Sequence, residues 1–334
     1  MAQQIALNMD CMEYMRTLPD DSVDVVVADP PYNIGKAEWD KWSTRGGYLR
    51  DVGAWLREFS RVVKPTGSVW MFHSDMSQLA PIMADSLTLP GLVFSDFVTL
   101  HKRNFRAKSW KTAGNASNAG LRSLFPVCEY LVHWFGSPGS GVKDKTGLER
   151  IYSTTECFRE LKDWYAERKA ALGLTDGDIL SAYQKGTRRS GAMLRHYFKD
   201  SQFEIPTADV WAAVFEPLGF GSYEELRASY EELRPYWKTD DEHCNVWEFR
   251  GVFAVQDGSF HPTSKPVALY ERIFNISCKP GGRVLDPFLG SGSSRIAAYN
   301  LNFDFVGCEI DKAYFDKQEE RFTRHTAQLS LFTE

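Results

Sequence analysis

The chain has 334 residues, 43% of them apolar and 25% charged, with a formal net charge of −5 at pH 7. These values are typical of a globular α/β domain with a substantial insertion, and the net charge neither predicts nor excludes a nucleic-acid partner. The longest apolar runs, such as Val25–Ala28, are strand-sized, which excludes a membrane-spanning helix. The first residues contain no charged segment followed by an apolar one, so no signal peptide is predicted.

The six cysteines are scattered and form no CxxC pair. This spacing argues against a disulfide framework and against a cysteine-rich metal site. We therefore expect reduced thiols, a cytoplasmic protein and no bound metal.

Short β-branched runs alternate with amphipathic segments in the first region, 1–141. Apolar residues at helical spacing predict a helix over Tyr48–Val63, and the turn residues Lys64–Gly67 are expected to break it. Strands alternating with helices indicate crossover connections and a mostly parallel sheet. The strands predicted in this region are Val23–Ala28, Ser68–Phe72 and Cys128–Phe135.

The middle region, 142–243, is charged, aromatic and helical in pattern. Helices are predicted around Phe158–Tyr165 and over Gly221–Trp237, and no strand alternation of comparable length occurs. This region is expected to be an inserted helical subdomain.

The strand–helix pattern returns in the third region, 244–326, before a short tail, 327–334. The fold class is therefore α/β. The elements predicted there are helix Pro266–Cys278, strand Arg283–Asp286, helix Ser291–Asn300, strand Asn302–Glu309 and helix Ala313–Thr326.

A glycine-containing turn follows the strand that ends at Asp286, reading Pro-Phe-Leu-Gly-Ser-Gly. Such a turn lets the backbone approach a ligand and points helix N-terminal N–H groups at it. One strand–helix unit later, Glu309 is placed to accept hydrogen bonds from ribose hydroxyls. The turn is neither G-x-G-x-x-G nor a P-loop, and the Asp286 carboxylate suits the ammonium of a nucleoside carrying an amino acid. A tight turn beside a surface acid is the plainer alternative.

A second motif, Asp29–Tyr32, reads Asp-Pro-Pro-Tyr directly after a predicted buried strand. Ligands of open α/β sheets bind beyond the carboxyl ends of strands, and two prolines stiffen the turn there. The Asp29 carboxylate and the Pro30 carbonyl are two acceptors for an NH₂ group, and Tyr32 is an aromatic surface for its ring. A merely rigid strand-to-loop turn is the alternative.

These two motifs, in this order, resemble those of the β-type DNA amino-methyltransferases. The resemblance covers Ala6 to about Phe135 and Asn245 to about Thr326, and it includes Cys128–Tyr130 near the family's target-base pocket. It implies a Rossmann-like methyltransferase fold, a mixed sheet with helices on both faces, and S-adenosylmethionine as cofactor. The catalytic residues that it implies are Asp29, Pro30, Pro31 and Tyr32. The cofactor-binding residues that it implies are Asp10, Cys11, Asp29, His261, Thr263, Ser264, Lys265, Asp286, Pro287, Phe288, Gly290, Ser291, Gly292, Glu309 and Ile310.

In this family the amino nitrogen of a base flipped out of double-stranded DNA attacks the methyl carbon of S-adenosylmethionine directly, and S-adenosylhomocysteine leaves. No Pro-Cys dipeptide occurs, so covalent attack on cytosine has no obvious nucleophile. Aspartate at the first position of the motif resembles the N6-adenine enzymes, and serine there is typical of the N4-cytosine ones. Adenine N6 is the expected target, with cytosine N4 as the alternative.

Two basic stretches are candidates for DNA contacts. The first lies between predicted strands and contains two aromatic residues, which could frame a flipped base. The second lies in the insertion, the expected target-recognition region, where a helix-turn-helix-like arrangement and a purely structural cap are equally open. An ordinary solvated loop is the alternative for the first. The residues predicted to contact DNA are Lys102, Arg103, Arg106, Lys108, Lys111, Lys185, Arg188 and Arg189.

The tail resembles the short peptide by which bacterial DNA-processing proteins dock on the replication sliding clamp. Packing of the tail on its own domain is the alternative. A homodimer is left open as the oligomeric state. The residues predicted to bind the clamp are Gln328, Leu329, Leu331 and Phe332.

Two functions from other classes remain as rivals. One is a catalytically silent DNA-binding module with a methyltransferase fold, against which the intact motif residues argue. The other is a dinucleotide-dependent oxidoreductase, which both motifs disfavour. Equilibrium binding of S-adenosylmethionine and of NAD distinguishes them.

Overall fold

A computed structural model describes residues 2–35, 38–102, 128–136, 142–143, 149–150, 158–199, 203–234, 236–238, 244–249 and 264–330. The chain divides into two compact units. The first, called the sheet unit, comprises Met1–Gly136 and Tyr236–Glu334. The second, called the helical unit, comprises Ser137–Pro235.

An eight-stranded mixed sheet forms the sheet unit, in the order β1-β10-β9-β2-β3-β5-β4-β8. The first five strands in that order are parallel to one another, β5 is antiparallel to both of its neighbours, and β8 is parallel to β4. The strands are β1 (Gln4–Leu7), β2 (Val23–Ala28), β3 (Val63–His73), β4 (Leu92–Lys102), β5 (Cys128–Gly136), β8 (Val246–Phe249), β9 (Arg283–Asp286) and β10 (Asp304–Cys308).

Helices cover both faces of this sheet, as the sequence predicts. Strand β2 is buried throughout, and its side chains alternate between two hydrophobic clusters. Val26 packs with α1, α2 and α3 on one face, whereas Val25 and Val27 pack with α8 and α9 on the other. The helices of this unit are α1 (Cys11–Met15), α2 (Arg45–Val62), α3 (Met76–Ser86), α8 (Val267–Ser277), α9 (Ser293–Asn300) and α10 (Lys312–Ser330).

The helix ends before Lys64–Gly67 as predicted, at Val62, but these four residues are not a separate turn, because they belong to β3. Pairing with β2 shifts between Val23 and Val25, so the four residues form a bulge opposite Asp24. A Cβ on Gly67 would lie 2.5 Å from the Asp24 carbonyl oxygen, and Lys64 Nζ lies 2.9 Å from the buried Asp24 carboxylate. A proline is tolerated at such a bulge, whereas a scan for turn residues assigns these four residues to a turn before the strand.

Aromatic packing holds the helical unit together. Phe158 stacks on Phe203 with ring centroids 4.2 Å apart, and Tyr165 stacks on Phe198 at 4.3 Å. Trp211 is fully buried beside them. Two short strands, β6 (Val142–Lys143) and β7 (Glu149–Arg150), pair antiparallel. The helices are α4 (Arg159–Ala171), α5 (Asp176–Thr187), α6 (Ala208–Val210) and α7 (Tyr223–Leu233). Helix α6 continues into a π-helical turn (Trp211–Phe215).

Two predicted helix ends are wrong. The helix predicted to reach Trp237 ends at Leu233, and Trp237 instead stacks on Trp70 and His133 of the sheet. The helix predicted to end at Thr326 continues to Ser330, because no residue in between breaks a helix. Gln328 and Leu329 are therefore helical rather than part of a tail. None of the helices described is both long and apolar enough to cross a membrane.

Candidate active site

One edge of the sheet gathers the acidic residues singled out in the sequence. Strands β1, β2, β9 and β10 are parallel, so the residues after their carboxyl ends lie at the same edge. Asp10, Asp29 and Glu309 follow three of these strands, and Asp286 ends the fourth. Strand β5 runs the other way and begins at this edge, where it brings Glu129.

A cavity of about 300 Å³ opens at this edge. Both sequence motifs line it, so the Asp-Pro-Pro-Tyr turn lies beside the glycine turn. The predicted residues that line the cavity are Asp10, Cys11, Asp29, Pro30, Pro31, Tyr32, Ser264, Lys265, Pro287, Phe288, Gly290, Ser291, Glu309 and Ile310.

The glycine turn requires its two glycines. Gly290 and Gly292 have φ values of 51° and 75°, in the left-handed region that side chains disfavour. A Cβ on Gly292 would also lie 3.2 Å from Gln318. The Gly290 N–H donates to Glu309 Oε2 over 2.8 Å, which ties the turn to the end of β10.

The carboxylates around this turn accept hydrogen bonds from nearby backbone. Glu309 Oε1 accepts from the Asp311 N–H over 2.8 Å, and burial raises the Glu309 pKa. Asp10 caps α1, where its Oδ1 accepts from the Met12 and Glu13 N–H groups over 2.8 and 3.2 Å. The side chains of Asp10 and Glu309, with Gly290, form what we call the glycine-turn half of the cavity, and Gly292 lies outside the cavity lining.

Asp286 lies behind the turn and outside the cavity lining. Its Oδ1 accepts from the Phe288 N–H over 2.9 Å, and its Oδ2 accepts from the Ser294 hydroxyl. Burial raises the Asp286 pKa to about 7. This carboxylate holds the turn, a placement that does not favour the predicted pairing with a ligand ammonium.

A lysine from a distant part of the chain holds Asp29. Lys265 Nζ lies 2.9 Å from Asp29 Oδ1 and 2.7 Å from Oδ2, and Tyr32 donates its hydroxyl proton to Oδ1. Lys265 Nζ also lies 3.2 Å from Tyr32 Oη and 3.5 Å from Glu129 Oε2. We call Asp29, Tyr32, Glu129 and Lys265 the Asp29 half of the cavity. The expectation that Lys265 contacts a cofactor did not anticipate this ion pair.

The charge on Lys265 is maintained although its side chain is only 7% exposed. Burial by itself lowers the Lys265 pKa, but the carboxylates of Asp29 and Glu129 outweigh it and the pKa is raised. Lys265 is therefore an ammonium ion at neutral pH and cannot accept a proton there.

Tyr32 is buried rather than an open aromatic surface. One face of its ring stacks on His73 with centroids 4.8 Å apart. Burial lowers the His73 pKa to about 4, so the ring is neutral at neutral pH. His73 Nδ1 accepts from the Asp75 N–H, which leaves the proton on Nε2 to be donated to Tyr48 Oη over 2.8 Å. Only the other face of Tyr32 is left for the predicted stacking on a base.

The family model described as DNA methylase, for N6 and N4 methylases, matches residues 23–320. The chain belongs to this DNA methylase family. The Type II methyltransferase M1.MboII of Moraxella bovis is 22% identical over 309 residues, which are 92% of each chain. The Type II methyltransferase M.HpaI of Haemophilus parainfluenzae is 25% identical over 93% of this chain and 72% of its own.

Two solved methylases share the fold. One is TTHA0409 of Thermus thermophilus, assigned as a DNA modification methylase and solved with S-adenosyl-L-methionine. It is 17% identical with a TM-score of 0.51, and the match covers 97% of this chain and 94% of that one. The other is the cytosine-N4-specific PvuII DNA methyltransferase, 13% identical with a TM-score of 0.53, over 95% of this chain and 85% of that one. At these identities the likeness shows an α/β methyltransferase fold.

In this DNA methylase three tryptophans also line the cavity, and the motif search missed them: Trp39, Trp42 and Trp55. The Trp55 ring meets the Phe288 ring edge-on with centroids 4.8 Å apart. Trp55 lies on the apolar face of α2, where helical periodicity predicts a core residue. Its closeness to Phe288 depends on tertiary packing, which periodicity does not report.

Two thiols line the cavity of the methylase, those of Cys11 and Cys308. Burial raises the pKa of Cys11 to about 12 and also raises the pKa of Cys308. Both are protonated at neutral pH, so neither is an activated nucleophile.

None of the described residues predicted to contact DNA or the clamp is among those that line the cavity. Lys185 lies in the last turn of α5, which ends at Thr187. Arg188, in the left-handed conformation, and Arg189 follow the helix, and all three side chains are exposed. Lys102 ends β4, and its side chain is not described. The predicted residues outside the described part of the chain are Arg103, Arg106, Lys108, Lys111, His261, Thr263, Leu331 and Phe332.

Proposed function

We propose that this DNA methylase transfers a methyl group from S-adenosylmethionine to N6 of an adenine flipped out of double-stranded DNA. The observation that carries the proposal is the shared cavity: the Asp29 carboxylate and the glycine turn line the same space. A group held at the turn and an amino group held at Asp29 can meet there.

The glycine-turn half suits S-adenosylmethionine. This molecule carries a sulfonium, an ammonium and a carboxylate, so its net charge is positive. The cavity offers it the carboxylates of Asp10 and Glu309, the backbone of a turn that no side chain obstructs at Gly290, and the Phe288 ring. When bound, it supplies an activated methyl group.

The Asp29 half suits the amino group of a base. The lone pair of an aromatic amine is delocalised into its ring, which makes the nitrogen a poor nucleophile. Acceptance of its hydrogens by Asp29 and by the Pro30 carbonyl favours a tetrahedral nitrogen and stabilises the positive charge that develops on it. Neutral Cys11 and Cys308 leave this direct displacement as the chemistry that the cavity supports.

Adenine is favoured over cytosine by the aspartate at the first position of the motif. Both bases present an aromatic NH₂ group, so cytosine N4 is the second candidate. The fold does not separate the two. The discriminating measurement is transfer of labelled methyl groups to duplex DNA, followed by separation of the nucleosides.

N6-methyladenine is the expected product. N4-methylcytosine alone would leave the methylase assignment standing and overturn the choice of base. Binding of S-adenosylmethionine without any transfer would favour the catalytically silent module, and binding of NAD instead would favour the oxidoreductase.

The helical unit is proposed to read the target sequence. Its exposed cations Lys185, Arg188 and Arg189 are proposed to bind phosphates. Replacing all three with glutamine should reduce the slope of log K against log salt by about 0.9 for each phosphate that is no longer neutralised. Replacing Lys279 and Arg283, which lie before and at the start of β9, at the edge of the sheet opposite to the cavity, should leave the slope unchanged. An unaltered slope in the triple variant would exclude a phosphate-binding role for these cations.

A sliding clamp is proposed as a partner of the last seven residues. Their deletion should abolish binding to the purified clamp and leave methyl transfer to short duplexes unchanged. Lack of binding by the intact protein would contradict the proposal. The homodimer and the cytoplasmic location stay predictions.

A further inference from the structure

Lys265 occupies a position that the methyl-transfer scheme does not use. Its side chain is 7% exposed, and its ammonium group lies among the oxygens of three other residues. A buried ammonium is retained only where its protons and its charge find partners. Lys265 has three protons to donate, which Asp29 Oδ1, Asp29 Oδ2 and Tyr32 Oη accept, and the Glu129 carboxylate lies 3.5 Å from its nitrogen.

The hydrogen bonds of Lys265 restrict how Asp29 can meet a substrate. An ionised carboxylate has about four lone-pair sites. Tyr32 and Lys265 both donate to Oδ1, and Lys265 also donates to Oδ2. Within the described part of the chain, these bonds leave one site open, and it is on Oδ2. Because Asp29 is held from two sides, that site has a fixed direction.

The charge of Lys265 points the same way. Its ammonium nitrogen lies 2.7 Å from the Asp29 carboxylate and 3.5 Å from the Glu129 carboxylate. A positive charge between two carboxylates reduces their mutual repulsion, which favours the ionised form of both. An ionised Asp29 can stabilise the positive charge that develops on an amino nitrogen during methyl transfer.

We propose that Lys265 is a positioning residue for Asp29: it directs one Oδ2 lone pair towards the incoming amino group and keeps the carboxylate ionised beside Glu129. The inference rests on the proposed methyl transfer and assigns Lys265 to the substrate side of the cavity. The competing assignment, binding to the cofactor carboxylate, predicts a different response to substitution.

The decisive variant is Lys265→Met, which keeps the length of the side chain and removes its charge. We expect the single-turnover rate of methyl transfer at saturating S-adenosylmethionine to fall about 100-fold, because a misdirected carboxylate disturbs the reacting geometry. The Kd of S-adenosylmethionine should stay within about threefold of wild type, since Lys265 is not proposed to touch it.

The pH profile of the methyl-transfer rate distinguishes a positioning role of Lys265 from a merely structural one, because a structural role would leave the profile unchanged. The titratable groups that face Asp29 are Lys265, Tyr32, Glu129, Tyr270, Asp286 and His73. Without the Lys265 ammonium, repulsion between the carboxylates of Asp29, Glu129 and Asp286 favours the uptake of a proton by one of them. The acidic limb of the rate profile should then move to higher pH by about one to three units.

Two further variants test the charge argument. In Lys265→Met/Glu129→Gln the second carboxylate beside Asp29 is gone, so the rate should recover about tenfold over Lys265→Met alone. Lys265→Arg retains the charge and should keep the wild-type acidic limb. Lys64→Met is the matched control, because it breaks another lysine–aspartate pair, with Asp24, outside the cavity; its rate should equal that of wild type.

The outcomes separate the two levels of the argument. A wild-type rate and pH profile in Lys265→Met would overturn the positioning role, as would a rise in the Kd of S-adenosylmethionine in proportion to the lost rate. No transfer by the wild-type protein would instead overturn the proposed function. Should Lys265→Met fail to fold, the same tests apply to Lys265→Arg, whose planar group should lower the rate and leave the Kd unchanged.

Discussion

The two halves of the cavity are held in different ways. In the glycine-turn half, Asp10 and Glu309 accept hydrogen bonds from backbone N–H groups of their own segments and of the adjoining turn. In the Asp29 half, the carboxylate is held by Lys265, which follows it by 236 residues. Short-range backbone bonds fix the first half, whereas converging side chains fix the second, so the two should respond differently to substitution.

The largest effect is expected from Asp29→Ala. The variant removes the acceptor for the amino group and should lower the transfer rate about 1000-fold, the cost of losing a principal electrostatic interaction in a buried site. The Kd of S-adenosylmethionine should change little. Single-turnover kinetics and equilibrium binding measure the two quantities, and a proportional loss of both would mean that the halves are not separate.

Gly292→Ala should show the reverse pattern. The φ of 75° and the approach to Gln318 strain any side chain there, so the Kd of S-adenosylmethionine should rise about tenfold. Gly281→Ala is the matched control, since Gly281 has a φ of 73° and no atom within 4 Å of its added Cβ. It should lose stability without a change in Kd; equal effects on Kd in both variants would refute the local explanation.

Tyr32→Phe should reduce the transfer rate about fivefold, because it removes one donor to Asp29 and keeps the ring. The variant tests whether Tyr32, which is close to Asp29 in the sequence, and Lys265, which is distant from it, act together on the Asp29 carboxylate. Combined with Lys265→Met, it should cost less than the product of the two separate effects. Fully independent effects would show that the two donors act separately.

The smallest effect concerns Asp286, whose pKa is raised by burial to about 7. Between its ordinary pKa and about 7, the folded state binds more protons than the unfolded one, so this carboxylate destabilises the fold as pH rises. Between pH 5 and pH 8, the Tm of Asp286→Asn should therefore rise by about 2–4 °C relative to the Tm of the wild type. Thermal melts at both pH values measure it; a constant difference would contradict the shift.

Motif reading predicted the local half of the site better than the long-range half. The strand–turn–helix pattern around Asp286 and Gly290 determines its own geometry, and the structure has the turn where the sequence predicts it. The ion pair of Lys265 with Asp29 could not be read from either motif, since it depends on how β2 and α8 pack in three dimensions. The closeness of Trp55 to Phe288 and the burial of Tyr32 against His73 also depend on tertiary packing, so the motifs did not predict them.

The fold was predictable where local signals agree with tertiary structure. All five predicted strands of the two α/β regions are present, although β3 begins earlier through the bulge at Lys64–Gly67. Helix periodicity continued past Leu233 in the sequence, but Trp237 packs on Trp70 instead. The position of a large aromatic residue can agree with helical periodicity while its ring packs against another aromatic ring outside the helix.

The pairing of β1 with β10 and of β2 with β9 has a consequence for how the protein is made. A ribosome adds roughly 5 to 20 residues per second, so roughly 12 to 47 s separate the synthesis of Asp29 from that of Lys265. During this interval β2 can pair with β3 but lacks β9, and the Asp29 carboxylate lacks its cation. Folding of the sheet must wait for late-emerging segments, which makes nascent chains candidates for chaperone protection.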